Sequence, residues 1–434
     1  MKKSYTLCGI FLFVENSKKA SFIFELMLEF DYICLCNLRH KRNGKYTILE
    51  EKHMSFILND VQKMIVQLAK SFAEKELAPI AEEMDRNAEF APGLVQKVAD
   101  IGLLGMNIPK QYGGAGVDEV TKALVIMEIA KVDASVAELI AVHTLTNDII
   151  YRYGTEEQKE KYLRWGATGG VGAFALTEPN AGSDAAAART KAVVDGDDYV
   201  INGTKCFISN MGRNEGDYVV LIALTDPAKK TKGMSAIIVD RKTPGFDIGK
   251  VEDKMGLRAA PVSELVFSDC RVPRTQLLGK EGKGFMIAMA GLDGGRIGMA
   301  SQGVGVAEGA LASAVAYSKQ RVQFGKSINA NQGLQWYLAD MATRTEAAKM
   351  LTLNAADRRQ HGENIGKLAA MAKYYASENA VWVTNKSLQI HGGYGYMKDY
   401  AIERQYRDAR IIPLYEGTSE IQKVVISRAV IDGK

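Results

Sequence analysis

The first regular pattern of apolar and polar positions opens at Asn59. Val61, Ile65, Leu68 and Phe72 form one apolar stripe at helical spacing, and Asn59 with Gln62 has the spacing of an N-cap and its capping box. A helix is therefore predicted to start there. Further stripes, such as Leu124–Met127 and Leu139–Val142–Leu145, recur to about residue 170. Gly and Pro interrupt them at Asn107-Ile108-Pro109 and at Tyr112–Gly116. Near residue 172 the period changes. Tyr199–Ile208 reads as two short strands around a turn, and Tyr218–Leu224, Met234–Val239 and Glu264–Phe267 are β-rich runs bounded by turn formers. With no helical text between them, these strands predict an antiparallel sheet or barrel. Helical text returns at Gly284 and runs to the end, with long apolar helices that need partners. The expected architecture is α+β: an N-terminal helical domain over 54–170, a middle β domain over 171–283 and a C-terminal helical domain over 284–434.

Residues 1–53 do not share this patterning. They hold three of the chain's five Cys (Cys8, Cys34, Cys36), and the apolar runs Leu7–Val14 and Phe22–Leu28 follow no clear period. Met1-Lys2-Lys3 stands where a secretory signal would open, but no A-x-A-like cleavage site follows the short apolar core. The segment is too acidic for a transit peptide. Glu50-Glu51-Lys52-His53-Met54 back-translates to a purine-rich ribosome-binding sequence just ahead of a start codon. The extension is thus expected to be translated upstream sequence, with the natural chain beginning at Met54.

Composition narrows the function classes. Among 434 residues, 55 Lys+Arg against 51 Asp+Glu leave a net charge of +4, too even for a nucleic-acid binder. No apolar run reaches the ~18 residues of a membrane helix, so no membrane insertion is expected. No C-x-x-C pair occurs, and the three His beyond residue 53 are too scattered for a metal site. P-loop, dinucleotide-fingerprint and G-x-S-x-G signatures are missing.

Four segments are richer in polar and turn-forming residues than packing requires. Leu176–Asp184 (LTEPNAGSD) reads either as a plain domain junction or as a loop whose amides and hydroxyls grip a polar ligand. Arg321–Gly325 (RVQFG) closes a long helix with a cation, an amide and an aromatic, which alone is ordinary capping. Gln389–Tyr396 (QIHGGYGY) suits a Gly cap or close backbone approach to a phosphate or ring. Leu414–Glu420 (LYEGTSE) sets a carboxylate between Tyr and Gly just before the last helix, either solvated or placed as a base.

In order along the chain, these segments resemble the acyl-CoA dehydrogenase family, and within it the short-chain, butyryl-CoA branch. The resemblance runs from about Met54 to Gly433. It also includes G-x-K-x-x-I-S-N at 203–210, D-K-M-G-L-R at 253–258, G-K-G-F at 282–285 and L-D-G-G-R at 292–296. It implies a middle antiparallel β-barrel-like domain, a C-terminal four-helix bundle, and a homotetramer (a dimer of dimers) with one FAD per subunit. Phe174, Leu176, Thr177, Gly182 and Ser183 would lie along the flavin, and Phe207, Ile208 and Ser209 would flank its ring. Arg321, Gln323, Phe324, Gln332, Gln389, Ile390, His391, Gly392 and Gly393 would reach the cofactor from a neighbouring subunit, with Thr418 and Glu420 on its pyrophosphate and adenosine side. Ser183, Asp293, Arg296, Tyr415 and Gly417 would contact the acyl-CoA. The chain departs from the usual pattern in having Phe207 for Trp, Ser209 for Thr, and Asn331 where Phe commonly precedes Gln332.

By the same resemblance, Glu416 would abstract the α-proton of a short-chain acyl-CoA while hydride leaves Cβ for flavin N5, giving the trans-2-enoyl-CoA. Other branches supply the base from the position before the D-x-x-R arginine, which here is Gly295, so Glu416 is the candidate. Burial beside a thioester should raise its pKa from ~4.3 towards working pH. Electrons would pass to an electron-transfer flavoprotein. Alternatives are the same site run as an enoyl-CoA reductase in fermentation, or an acyl-CoA oxidase. The expected location is the bacterial cytoplasm rather than a mitochondrial matrix.

Overall fold

The computed structural model describes residues 4–7, 10–13 and 58–433. The chain divides into two units, Met1–Ser55 and Phe56–Lys434. In the first, β1 (Ser4–Leu7) and β2 (Ile10–Phe13) form an antiparallel hairpin. The rest of the expected extension, and the proposed start at Met54, lie outside the described residues.

The second unit begins as its local sequence dictates. Asn59 caps α1 (Asp60–Phe72): its Oδ1 accepts from Gln62 N at 2.9 Å, and Gln62 Oε1 accepts from Asn59 N at 2.9 Å. The apolar stripe behaves differently from the expectation. Val61 and Leu68 are exposed, and the helix instead turns Ile65, Ala69 and Phe72 onto the core. Short helices α2 (Ala81–Asn87) and α3 (Leu94–Asp100) follow. Then come α4 (Glu119–Ala130), α5 (Ala134–Tyr153) and α6 (Glu156–Ala167), capped by Asp118, Asp133 and Thr155. α4 and α5 are buried almost all round, as helices between two layers must be.

The middle region is one eight-stranded sheet. Its strands are β3 (Gly172–Ala175), β4 (Lys191–Asp195), β5 (Asp198–Ser209), β6 (Tyr218–Leu224), β7 (Met234–Asp240), β8 (Phe246–Val251), β9 (Val262–Pro273) and β10 (Leu277–Leu278). The order is β10-β7-β6-β4-β5-β9-β8, with β3 beside β6. Two details differ from the sequence expectation. β3 and β4 each meet β6 in parallel, so the sheet is mixed rather than purely antiparallel. And residues 199–208 lie within one long strand rather than two, its register against β9 broken at Ile201/Gly203 and Lys205/Ile208. Gly203 permits the first irregularity: it has φ 147°, and a Cβ there would lie 2.6 Å from Thr190 Oγ1.

The last region is built on α7 (Gly284–Gln320), 37 residues long. A hairpin of β11 (Val322–Gln323) and β12 (Lys326–Ser327) turns through Phe324-Gly325, both at positive φ as a two-residue turn requires. Then follow α8 (Gln332–Gln360), α9 (Gly366–His391), α10 (Ile402–Ala409) and α11 (Ser419–Ile431). α7 packs against α4, α5, α8 and α9, which joins the two helical regions and supplies the partners its apolar surface needs. At Gly305 the contact with α4 is so close that a Cβ would lie 2.3 Å from Met127 O.

Candidate active site

Phe207–Asn210 ends β5 with a sharp turn. Within the irregularity between Lys205 and Ile208, Phe207 takes φ 57° and projects outward, 64% exposed, whereas Ile208 is buried in the sheet core. Asn210 Nδ2 ties this end to α5 through Leu139 O at 3.0 Å. The 176–183 loop is fastened beside it. Cys206 N donates to Thr177 O at 3.0 Å, and Lys205 Nζ donates to Leu176 O and Glu178 Oε1, each at 2.8 Å. Glu178 also accepts from Arg189 N and Thr190 N. Burial works to raise the Glu178 pKa, but Lys205 and these donors outweigh it and hold the carboxyl below its usual range. Gly182 and Ser183 stand exposed at the loop tip, with open space where a Gly182 Cβ would be.

Glu416 sits in a turn between α10 and α11 with φ 49°, followed by Gly417 at φ 95°. Its carboxyl points at α7. A Cβ added to Gly295 would lie 2.2 Å from Glu416 Oε2, so the carboxyl occupies the space of the missing side chain. That oxygen has no hydrogen-bond partner and no solvent access. Desolvation raises the Glu416 pKa to about 7, partly opposed by Lys373 and Arg296 and reinforced by Glu138. Directly after Gly295, Arg296 Nη1 donates to Asp293 Oδ1 at 2.6 Å. Tyr415 donates to Gln302 Oε1, also on α7. The chemistry on offer is proton abstraction by a carboxylate that is ionisable near neutral pH and whose oxygen facing α7 is shielded from water.

A third set of residues lines a groove of about 590 Å³ that includes neither Glu416 nor its neighbours. Arg321, Gln323, Ile390, His391, Gly392 and Gly393 are on its walls. Gly392 and Gly393 have no atom within 4 Å of a built Cβ, leaving room for a ligand to approach the backbone. His391 is buried and stacked on Tyr317, with Nδ1 on Ser387 O. Phe324, at the hairpin tip, is 97% exposed.

The candidate residues thus fall into three places. Phe174, Leu176, Thr177, Gly182, Ser183, Phe207 and Ser209 gather at one end of the sheet. Tyr415 and Gly417 flank Glu416 in its turn, and Arg296, paired with Asp293, follows Gly295 on α7. Arg321, Gln323, Gln389, Ile390, His391, Gly392 and Gly393 belong to the groove region. Ile208 can offer a ligand only its backbone, because its side chain faces the core. Gln332 lies exposed at the start of α8, Thr418 caps α11 by accepting from Ile421 N, and Glu420 is exposed on that helix.

Sequence reasoning passed over two charged residues of the carboxylate site. Glu138 on α5 is 2% exposed and accepts from Ser209 Oγ at 2.6 Å; burial raises its pKa to about 7. Lys373 on α9 is fully buried and donates to Gly417 O at 2.7 Å. Each is a lone charge in an otherwise apolar helical run, which was the available signal.

Comparison with known proteins matches all three regions to family models. These are the acyl-CoA dehydrogenase N-terminal domain over residues 59–170, the middle domain over 173–270 and the C-terminal domain over 282–431. The chain is 54% identical to the acryloyl-CoA reductase (NADH) of Anaerotignum propionicum over 88% of this chain and 97% of that one. It superposes on butyryl-CoA dehydrogenase from Megasphaera elsdenii with a TM-score of 0.85 and 44% identity, covering 87% and 100% of the two chains. A chain solved in work on the electron transferring flavoprotein of Acidaminococcus fermentans and flavin-based electron bifurcation also scores 0.85, at 48% identity, covering 87% and 99%.

Proposed function

The chain belongs to the acyl-CoA dehydrogenase family, and from that premise we propose that it oxidises short-chain acyl-CoA thioesters to trans-2-enoyl-CoA with Glu416 as the base. The observation that carries the assignment is the carboxyl of Glu416 against Gly295, desolvated and brought to about 7. An α-proton of a thioester is barely acidic, so the base must be matched to neutral pH and the enolate oxygen must be met by donors. The N–H of Glu416 has no backbone partner among the described residues, which leaves it free to be one such donor. Asp293 and Arg296 orient the substrate from α7.

Members of the family are flavoproteins, and the residues here fit FAD. The exposed ring of Phe207 beside the Thr177–Ser183 loop offers a face to a planar ring, and the open backbone of Gly392-Gly393 with Arg321 and Gln323 suits a phosphate-bearing tail. Bound there, FAD supplies the hydride acceptor. The groove residues would serve a neighbouring subunit's cofactor in a homotetramer, with the exposed Phe324 covered by the partner. An electron-transfer flavoprotein is the proposed electron partner. No helix among the described residues is long and apolar enough to cross a membrane, and a cytoplasmic location is proposed.

The identity with an acryloyl-CoA reductase favours a second reading, in which the same site runs towards the saturated thioester and Glu416 delivers the α-proton. The deciding experiment for the site is Glu416→Gln. The variant is expected to keep its yellow colour and assembly but to lose flavin bleaching by butyryl-CoA; bleaching at near wild-type rate would overturn the assignment. Comparing the rates of butyryl-CoA oxidation and crotonyl-CoA reduction then tells the two directions apart.

A further inference from the structure

We propose that Lys373 is the positioning residue for the base: from α9 its ammonium holds the turn that presents the Glu416 carboxylate and keeps that carboxylate ionised. The inference rests on the reading of Glu416 as base.

Glu416 and Gly417 are consecutive residues at positive φ. For Glu416, which has a Cβ, this conformation is strained, and it persists only where surrounding contacts over-determine it. Three donor contacts do so here. Lys373 Nζ donates to Gly417 O at 2.7 Å, and Gln422 Nε2 donates to the same oxygen at 2.9 Å and to Glu416 O at 3.2 Å. Gln422, fully buried at the start of α11, is a neutral donor. Lys373, equally buried, adds a charge.

A neutral donor would be enough to hold a carbonyl. A buried ammonium is costly unless paired, and among the described residues no carboxylate lies within ion-pair distance of Lys373 Nζ. The groups that act on it through space are Glu416, Arg296, Glu378 and Glu420. Those that act on Glu416 are Lys373 from α9, Arg296 from α7 and Glu138 from α5. Lys373 is the leading attraction among them, opposing both desolvation and Glu138. Burial in turn lowers Lys373 to about 8, so near neutral pH the ammonium remains charged while the carboxylate ionises.

The test separates charge from geometry. Lys373→Gln keeps a donor and removes the charge. Its acid limb in the pH dependence of kcat/KM should move up by ~1 unit, with activity below the limb falling ~10-fold. Gln422→Leu removes neutral donors only and should lower kcat without moving the limb. Lys373→Arg should restore the limb. Flavin content and thermal stability are measured alongside; if Lys373→Gln loses its flavin, it is reconstituted with FAD before assay, and Lys373→Met, equally uncharged, is read by the same criterion. A Lys373→Gln enzyme with full flavin and an unmoved limb overturns the proposal, as does a limb that moves equally in Gln422→Leu. Glu416→Gln run in parallel keeps the two ideas apart: if it stays active the base itself is misassigned, and if it is inactive while Lys373→Gln is unaffected, only the role of Lys373 falls.

Discussion

Gly295→Ala adds a single methyl in the middle of α7 and should separate activity from stability. The new Cβ would stand 2.2 Å from Glu416 Oε2, 3.0 Å from Cδ and 3.1 Å from Oε1. Ordinary contact begins near 3.4 Å, so the carboxyl must retreat by more than ~1 Å. The obstructed atoms are the end of a flexible side chain, so rotation of Glu416 relieves the clash without moving α7. Replacing a helical Gly by Ala also favours the helix by ~0.5–1 kcal/mol. The melting temperature should therefore hold or rise. Rate is another matter, because a base misplaced by ~1 Å can lose ~100-fold, which is ~2.7 kcal/mol of barrier. Anaerobic stopped-flow bleaching of the bound flavin by butyryl-CoA measures it. A Gly295→Ala enzyme within threefold of wild type, with normal flavin content, would show that the carboxyl does not work from the position described. A complementary exchange, Glu416→Gly with Gly295→Glu, should recover part of the activity that Glu416→Gly alone lacks, because the two positions share one space.

Arg321→Ala should weaken flavin retention and tetramer stability together, read by absorbance and by light scattering; loss of one without the other would contradict a shared site. Glu178→Gln leaves Lys205 buried without its counter-charge, which should cost ~3–5 kcal/mol and loosen the 176–183 loop, seen as a lower melting temperature and easier flavin loss. Asp408 is buried, accepts from Leu257 N at 2.6 Å, and has its pKa raised by burial to about 7. Its contribution to stability is complete below the unfolded value of ~3.9 and is lost as pH rises through about 7. Asp408→Asn should thus gain melting temperature relative to wild type between pH 5 and pH 8; a difference that does not change with pH would refute this.

Much of this protein could be read from its sequence because the deciding interactions are short-range. The capping box of Asn59 and Gln62 spans three residues, and the change of period near 172 marks the passage from helices to sheet. The motif carrying Glu416, the proposed base, and the Gly295 before Arg296 are legible along the chain only through the family resemblance. Other features belong to the tertiary structure. Of the stripe Val61, Ile65, Leu68 and Phe72, only Ile65 and Phe72 meet the core, joined there by Ala69, while Val61 and Leu68 stay exposed. The single long strand Asp198–Ser209 and the parallel pairings with β6 depend on residues far apart in sequence. So does the character of the proposed base. Glu416 owes its raised pKa to desolvation and to Lys373, Arg296 and Glu138, which three different helices deliver to one turn. Local spacing can name a carboxylate, but only packing sets the dielectric and the charges around it, and these determine when it holds a proton.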